Sequence, residues 1–467
     1  MFVEVVRTIL ISIGAFYSLY LLVYATFLVI SVTVGASELY KNQQMSRLHN
    51  EISHEYYFPV SIIVPGYNEE VTICDTVHSL LNLDYKLYEI IVVDDGSKDD
   101  TSKVLIEEFK MTKLRRKIKK SIRCQQEEFV YESYAYKVPV VLIRKKNGGK
   151  ADALNMGINA SRYPYFICMD ADSMLQSDAL ERIVRPVLTD ENLIACGGLV
   201  RIANGVILEN GKVKKYGMPK KMVTAMQVLE YERSFLASRI LFDMFNGSMI
   251  ISGAFGLFKK DIVIAVGGYD NGTMGEDMEL VVRLHVFCRK NNIPYTIKYE
   301  TEAVCWSQAP ESMRDLRKQR RRWHLGLFQS LSKHKQMLFS RKFGAVSFIS
   351  YMYFLIFELL SPYIEIFGIL SVIAMFLLGM VTTKVALTYM VISLLFGAVI
   401  TLSAFFSRIH TQNIRLTKED VWKAIWACIY ENVGFRIILA FTRMTSFIGY
   451  KKKKLQWGKI KRVKLNQ

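Results

Sequence analysis

The chain has 467 residues, of which 51% are hydrophobic, and this length predicts two or three structural units. A mean hydropathy of +0.17 indicates membrane segments attached to a globular part. The formal net charge is +18, but no zinc-finger spacing or RNA-binding signature accompanies it, so the sequence excludes nucleic acid and favours anionic lipid or phosphorylated substrates as partners.

The N-terminal segment, residues 1–40, predicts a membrane anchor. Residues 8–37 contain no charged side chain, and about 20 apolar residues suffice to cross a bilayer. The run is too long for the core of a signal peptide, and no small-residue cleavage site is obvious. We therefore predict one transmembrane helix that remains part of the protein.

Residues 55–336 predict a soluble α/β domain. Short apolar, β-branched runs alternate with segments of helical periodicity, and the runs lie at 60–65, 88–95, 138–143 and 165–169. This alternation is typical of a doubly wound, Rossmann-like parallel sheet, whose ligands bind at the carboxyl ends of the strands. The polar residues that follow the runs therefore predict one binding edge, formed by Asn68, Glu69, Asp94, Asp95, 146–150 and 170–172.

Asp170 and Asp172 follow the fourth run, one residue apart. In an extended chain positions i and i+2 point to the same side, so we expect both carboxylates to face one divalent cation. Mg²⁺ or Mn²⁺ suits carboxylate oxygens and is commonly shared with substrate phosphates, which predicts a nucleotide-diphosphate site. The alternative is a solvated turn at the end of a strand.

Six short motifs occur in order along the domain, at 65–69, 92–97, 147–155, 170–172, 275–277 and 319–323. Together they resemble the inverting family-2 glycosyltransferases of the GT-A fold, and among them the processive membrane synthases of cellulose, hyaluronan and poly-N-acetylglucosamine. The resemblance implies a cytoplasmic GT-A domain inserted between transmembrane helices. The chain departs from the cellulose synthases at Gly275, where they carry threonine, and it lacks their Phe-x-Val-Thr-x-Lys gating segment, so the sugar stays open.

The resemblance also implies roles for individual residues. Asp95 would contact the uridine base and Asp172 the metal. Asp277 would be the general base, and Glu276 is the second predicted catalytic residue. The other implied UDP-sugar contacts are Pro65, Tyr67, Glu69, Lys150 and Asp170. The implied diphosphate and acceptor contacts are Gln319, Arg322, Trp323 and Gly253. The alternative for Asp277 is a first-turn acid that the helix dipole favours.

The last motif also has a predicted geometry. A helix starts near residues 309–312 and continues to Gly326, so Gln319, Arg322 and Trp323, at i, i+3 and i+4, share one face. A guanidinium can grip a diphosphate, and an aromatic ring can stack on a sugar. Arg320 and the residue after it point elsewhere, and we expect them to be solvated or to contact lipid headgroups.

Residues 343–450 predict about four further transmembrane helices, followed by a basic cytoplasmic tail at 451–467. Two helices are expected within 343–381, one at 385–407 and one at 425–450. The positive-inside rule places the tail in the cytoplasm of a multi-pass plasma-membrane protein, but it leaves the basic loop 408–423 outside. An interfacial helix within 343–382, which would return this loop to the inside, is the open alternative.

Charged residues within these transmembrane segments indicate a water-filled channel. Glu358 and Glu365 are seven residues apart, as are Arg436 and Arg443, so each pair is expected on one helix face. Charges in membrane spans tend to face a wet cavity, and we predict that Glu358 and Arg436 line a channel for polymer export. The alternative is that Arg443 snorkels to the interface and Glu365 lies in a loop after Pro362.

The sequence thus predicts a metal-dependent, inverting glycosyltransferase that extends a β-linked polysaccharide from a UDP-sugar and passes it through its own membrane helices. UDP-glucose is expected ahead of UDP-N-acetylglucosamine. Two alternatives stay open: a non-processive transferase to a lipid carrier, and a nucleotide-sensing membrane scaffold without turnover. The expected partners are the growing polysaccharide, membrane lipids, and accessory export or regulatory subunits.

Overall fold

The structure is a computed structural model that describes residues 2–49, 57–115, 117–209, 211–412 and 414–449. Its strands in chain order are β1 Val60–Gly66, β2 Tyr88–Asp94, β3 Thr112–Leu114, β4 Glu127–Ser133, β5 Val140–Lys145, β6 Tyr165–Met169, β7 Ser173–Leu175, β8 Leu193–Ile202, β9 Ile207–Glu209, β10 Lys212–Lys215, β11 Phe255–Lys259 and β12 Thr296–Ser307. Its α-helices are α1 Phe2–His49, α2 Ile73–Leu81, α3 Thr101–Glu108, α4 Lys150–Ala160, α5 Ala179–Thr189, α6 Met222–Ser234, α7 Ile240–Asp243, α8 Lys260–Ala265, α9 Glu276–Lys290, α10 Met313–Lys333, α11 Ser361–Leu377, α12 Thr383–Thr411, α13 Lys418–Tyr430 and α14 Arg436–Met444.

One large sheet forms the centre of the soluble domain, in the strand order β3-β4-β5-β2-β1-β6-β11-β8-β12-β7. The strands β5, β2, β1 and β6 run parallel, as the sequence predicts. The strand β11 runs antiparallel between β6 and β8, and β3 and β4 add an antiparallel edge. The four runs that the sequence predicts are these parallel strands, and the antiparallel strands β3, β4 and β11 lie outside those runs.

Helices cover both faces of the sheet. Ile62 and Val64 pack toward one apolar cluster, whereas Ile63 packs toward the other, because alternate residues of a strand point to opposite faces. The helix α2 contributes to the first cluster, and α4 and α9 contribute to the second. This packing fixes the carboxyl ends of β1, β2 and β6 at one edge of the sheet.

Three helical stretches are long and apolar enough to cross a bilayer: Glu4–Lys41, Thr383–Thr411 and Lys418–Phe447. The pair Val346–Leu359 and Ser361–Leu377 passes the same test together but is bent by 49° at its break, so it adds a fourth only if it forms one span. The described residues thus offer at most three C-terminal spans where four were expected. Pro362 lies in the first turn of α11, where proline is tolerated, directly after this break. The predicted tail at 451–467 lies outside the described residues.

Candidate active site

A cavity of about 1420 Å³ opens at the predicted edge of the sheet and continues toward the membrane helices. It is larger than the roughly 300–1,000 Å³ of a typical small-molecule pocket. Most of the predicted site residues line it: Pro65, Glu69, Lys150, Asp170, Asp172, Gly253, Glu276, Asp277, Gln319, Arg322 and Trp323. Two predicted contacts of the UDP-sugar, Tyr67 and Asp95, lie outside the described lining.

The segment that carries Asp170 and Asp172 is a turn between β6 and β7, not the extended chain that was predicted. The amide of Ser173 donates to the carbonyl oxygen of Asp170 at 3.1 Å. The hydroxyl of Thr76 on α2 donates to the carbonyl oxygen of Ala171 at 2.7 Å and holds the turn in place. Asp170 and Asp172 nevertheless both line the cavity, so the turn, like the predicted extended chain, brings the two residues to one site.

Asp172 suits a divalent cation in chemistry and position. Asp172 is only 6% exposed, and it lines the cavity together with Asp170. The described residues contain no group of three or more His, Cys, Asp or Glu side chains that could hold a metal by itself. One or two carboxylates completed by substrate phosphates is a usual arrangement for Mg²⁺, and the donor set at this turn fits it.

Asp95 organises the loop that leads into α4. Its carboxylate accepts hydrogen bonds from the amides of Gly148 at 3.0 Å and Gly149 at 2.7 Å, and it pairs with the buried ammonium of Lys145. Burial raises the pKa of Asp95, although Lys145 acts in the opposite direction. The geometry therefore gives Asp95 a role in positioning Lys150 at the start of α4, while its contact with a uridine base stays a prediction.

Lys150 is the cation at the centre of a group of carboxylates. Its ammonium pairs with Asp170 and lies 3.6 Å from Oε1 of Glu276. Burial alone would lower the pKa of Lys150, but the attraction of Asp170 and Glu276 outweighs burial and raises it. Burial likewise raises the pKa of Glu276, against the lowering effect of Lys150. Lys150 thus neutralises negative charge at the place where a diphosphate is predicted to bind.

Asp277 lies in the first turn of α9 and faces the loop before β11. Its Oδ2 accepts a hydrogen bond from the amide of Gly253 at 3.2 Å, and its Oδ1 accepts one from the amide of Met278 at 2.8 Å. A methyl group on Gly253 would lie 3.0 Å from the ammonium of Lys150. The predicted base and the predicted acceptor loop are therefore neighbours, and a side chain at position 253 would press on the ammonium of Lys150.

The helix α10 presents the last motif to the cavity. The hydroxyl of Ser312 caps the helix by accepting a hydrogen bond from the amide of Asp315 at 3.2 Å. Gln319, Arg322 and Trp323 all line the cavity, as one helix face requires. Gly326 of α10 packs directly on the backbone of residue 275, which precedes α9, so no side chain separates the two helices there.

The expectation that Arg320 is solvated is wrong. Its residue is 8% exposed, its guanidinium pairs with Glu230 on α6 at 2.7 Å, and it lies 4.5 Å from the ring centroid of Trp323. This cation–π contact restrains the indole of Trp323. Helical phase alone could not predict the contact, since Glu230 is 90 residues away in the sequence.

Sequence reasoning also missed the contacts that join α9 to α10. The buried carboxylate of Glu279 pairs with Lys333 at 2.7 Å, with His334 at 3.0 Å and with Arg283 at 2.8 Å. The side chain of Gln329 accepts a hydrogen bond from the amide of Met274 at 2.8 Å. The spacing of four between Glu279 and Arg283 was the only local signal available. These contacts set the distance between the predicted base and the predicted acceptor residues.

Ion pairs line the membrane end of the cavity. Arg436 pairs with Glu365 at 3.1 Å, and Arg443 lies 3.8 Å from Glu358. Glu358 and Glu365 do not share one helix face as expected, because they lie on either side of the 49° bend. Glu365 is in the first turns of α11 and not in a loop. Both predicted channel residues, Glu358 and Arg436, line the same cavity as Asp277.

Comparison with known families decides the class. The profile described as Glycosyl transferase family 2 matches residues 61–267, and the profile described as Glycosyl transferase family group 2 matches residues 165–407, more than half of the chain. The chain belongs to glycosyl transferase family group 2. The protein is therefore a glycosyltransferase enzyme, and the family predicted from its motifs is confirmed.

Individual proteins agree with this assignment. The poly-beta-1,6-N-acetyl-D-glucosamine synthase of Staphylococcus epidermidis is 29% identical over 72% of this chain and 74% of its own length. The synthase of the same name from Staphylococcus aureus is 30% identical over 66% of this chain and 64% of its own length. The mannosyltransferase PcManGT of Pyrobaculum calidifontis, in complex with GDP-Man and Mn²⁺, shares the fold with a TM-score of 0.51 at 17% identity, covering 88% of this chain and 98% of its own.

These relatives confirm the predicted GT-A fold of the glycosyltransferase and correct one expectation. Both synthases are named for N-acetylglucosamine and not for glucose. The expected preference for UDP-glucose is therefore not supported. The alignment with the S. aureus synthase leaves about a third of that protein unmatched.

Proposed function

We propose that this glycosyltransferase polymerises N-acetylglucosamine from UDP-N-acetylglucosamine into a β-linked polysaccharide. The observation that carries the proposal is the single cavity that joins Asp172, Asp277 and Trp323 to the charged residues among the membrane helices. A non-processive enzyme needs only the first part of this cavity. The relatives that are named poly-beta-1,6-N-acetyl-D-glucosamine synthases support the sugar and the linkage.

The carboxylate of Asp277 is suited to the proton transfer. A hydroxyl oxygen of the acceptor sugar attacks C1 of the donor sugar, the bond from C1 to the diphosphate oxygen breaks, and its electron pair leaves with UDP. The hydroxyl proton moves to Asp277, which the amide of Gly253 orients through Oδ2. Because one displacement occurs on one face of the sugar, the configuration at C1 inverts and the product is β-linked.

The leaving diphosphate needs positive charge as it departs. Lys150, among Asp170 and Glu276, and Arg322 on α10 both line the cavity and supply fixed cations. Asp172, with Asp170 beside it, would hold a divalent cation, Mg²⁺ or Mn²⁺, which neutralises phosphate charge when it is bound. The Mn²⁺ in the related PcManGT complex supports this choice of cofactor.

The acceptor chain would leave through the membrane end of the cavity. Trp323 offers a ring on which a sugar can stack, and the guanidinium of Arg320, 4.5 Å from the ring centroid, restrains that ring. Further along the cavity, Tyr353 and Phe357 provide aromatic surface, and Arg436 provides hydrogen-bond donors. Alternating aromatic and polar groups suit a polysaccharide, whose sugar units have apolar faces and hydroxyl rims.

This function requires the catalytic domain to face the cytoplasm, where nucleotide sugars are made. The chain would then be a multi-pass protein of the cell membrane, with the growing polymer leaving on the opposite side. The helices that are long and apolar enough to cross a bilayer support this location.

The test is polymer synthesis by purified protein in lipid nanodiscs with radiolabelled UDP-N-acetylglucosamine or UDP-glucose. We expect label only from UDP-N-acetylglucosamine, in a product that a hydrolase specific for β-1,6-linked N-acetylglucosamine degrades. Incorporation from UDP-glucose would overturn the sugar. Label in a single sugar on an extractable lipid would show a transferase to a lipid carrier and overturn the polymerase.

A further inference from the structure

We propose that the segment Lys418–Phe447 does not cross the membrane but lies flat on its catalytic side, with one face in the lipid interface. By length and composition the segment passes as a membrane span. A helix of 30 residues extends about 45 Å, so a helix that spans the membrane can touch a soluble domain at one end only. This segment touches the catalytic domain at both ends, and these contacts contradict a span.

The direction of the preceding helix locates the start of this segment. The helix α11 runs antiparallel to α1, since Gly368 packs on Tyr17 whereas Met375, further along α11, packs on Gly14. At the other end of α1, Leu39 packs with Ala404 of α12 and with Ile240 of the soluble domain. The end of α12 therefore lies on the domain side.

Hydrogen bonds confirm where α12 ends. The guanidinium of Arg408 donates to the carbonyl oxygen of Thr301 on β12 at 2.6 Å. Gln412, just after the helix, accepts a hydrogen bond from Arg201 on β8. Both partners belong to the central sheet of the catalytic domain. The loop between α12 and α13 is thus on the catalytic side of the membrane.

The first turn of Lys418–Phe447 also contacts the domain. Oδ1 of Asp420 accepts a hydrogen bond from the amide of Met218 at 2.7 Å, and the ammonium of Lys423 donates to the carbonyl oxygen of Lys220 at 3.0 Å. Nearly halfway along, Glu431 pairs with Arg233 of α6 at 2.6 Å. The contact with the domain therefore continues past the beginning of the helix.

The far end of the segment returns to the same domain. The ring of Phe447 lies 5.7 Å from that of His324 and 5.0 Å from that of Phe328, both on α10. Arg321 of α10 donates to the hydroxyl of Thr445 at 3.4 Å. Since α10 carries the site residues and packs on α9, both ends of Lys418–Phe447 touch the catalytic domain. Only a helix that lies along the domain satisfies these contacts.

The outward face of the segment is suited to lipid. From Trp422 onward its exposed side chains are apolar or aromatic, and most follow helical spacing over five turns: Trp422, Trp426, Tyr430, Val433, Ile437, Ile438 and Phe441. The charged residues Glu431, Arg436 and Arg443 instead line the cavity. Tryptophan and tyrosine favour the headgroup level of a bilayer, and a helix with one apolar face lies in that plane. The partner of this face is the lipid interface next to α11 and α12.

This placement removes the conflict with the positive-inside rule. If α1, α11 and α12 are the spans, the basic loop 408–423 and the catalytic domain lie on the same side. The interfacial helix suspected within 343–382 is thus joined by a second one at 418–447. Three spans suffice where five were predicted.

Two matched substitutions test the proposal. Val399 in the middle of α12 and Val433 in the middle of Lys418–Phe447 are similarly exposed, at 61% and 57%. A lysine at the centre of a span is costly, whereas a lysine at an interface can reach water. We expect Val399→Lys to lower the yield of membrane-integrated protein about tenfold or more and Val433→Lys to change it less than about twofold. Equal losses in the two variants would overturn the proposal.

Epitope tags provide a second measurement that does not depend on the yield of a variant. Full-length proteins would carry one tag each, after Asn292 in the catalytic domain, after Gly379 between α11 and α12, or after the C-terminal residue. Antibody binding is compared between intact and permeabilised spheroplasts. We expect the C-terminal tag to behave like the tag after Asn292 and opposite to the tag after Gly379. A C-terminal tag that behaves like the one after Gly379 would overturn the proposal.

Discussion

The contact between α9 and α10 allows the sharpest prediction. A methyl group on Gly326 would lie 2.7 Å from the amide nitrogen and 2.8 Å from Cα of Gly275. Both are backbone atoms, so no side chain can move aside. Opening the 2.7 Å contact to an ordinary 3.4 Å separates the two helices by about 0.7 Å. Glu276 and Asp277, which directly follow Gly275, would then move away from Trp323.

We expect Gly326→Ala to lower kcat by about 10-fold to 10²-fold, because a misplacement near 1 Å can cost that much. This corresponds to about 1.4–2.7 kcal/mol in the barrier. Affinity for UDP should fall less than kcat, since Lys150 and the turn at Asp172 do not belong to α10 and only Arg322 would move with that helix. The assay is incorporation of radiolabelled N-acetylglucosamine, with UDP affinity measured by calorimetry.

The control is Gly434→Ala, because a methyl group there would have no neighbour within 4 Å. Alanine favours a helix over glycine by about 1 kcal/mol, so helix propensity does not destabilise either variant. A Gly326→Ala protein that binds UDP and keeps the wild-type kcat would refute the idea that the approach of α9 to α10 sets the catalytic geometry.

Four further outcomes are expected. Asp277→Asn cannot accept a proton, so sugar incorporation should fall about 10²-fold or more with UDP binding intact. The control is Asp261→Asn, which removes the first-turn acid of α8 and should keep full activity. An equal loss of activity in both variants would show that Asp277 acts only as a first-turn acid. Asp172→Ala should abolish transfer, and EDTA should stop the wild type reversibly; full activity in EDTA would contradict the metal site. Arg436→Leu should shorten or stop polymer export while UDP binding survives, and unchanged product length and secretion would show that this residue does not line the path. Burial raises the pKa of Asp243 to about 7 from 3.8, so the folded protein holds a proton that the unfolded chain has lost, and stability falls as pH rises through that interval. Asp243→Asn should therefore lose less thermal stability than the wild type between pH 5 and pH 8; equal losses would show that another group titrates.

The amino-acid sequence by itself determined the elements whose cause is local. The runs at 60–65, 88–95 and 165–169 are apolar on both faces and end in polar residues, which is enough to place strands and their functional ends. The phase of Gln319, Arg322 and Trp323 follows from 3.6 residues per turn, and the structure places all three in the cavity. Both signals lie within a few residues of the side chains they concern.

Only the tertiary structure decided the features that join distant parts of the chain. The pairing of Arg320 with Glu230 spans 90 residues, and the turn at Asp172 is held by a hydroxyl 95 residues away in the sequence. Hydropathy measures how apolar a helix is but not in which direction it runs, so Lys418–Phe447 resembles a membrane span until its two ends are seen on one domain. The physical reason is the same in each case: burial of a charge or of an apolar face depends on which partner the fold brings to it.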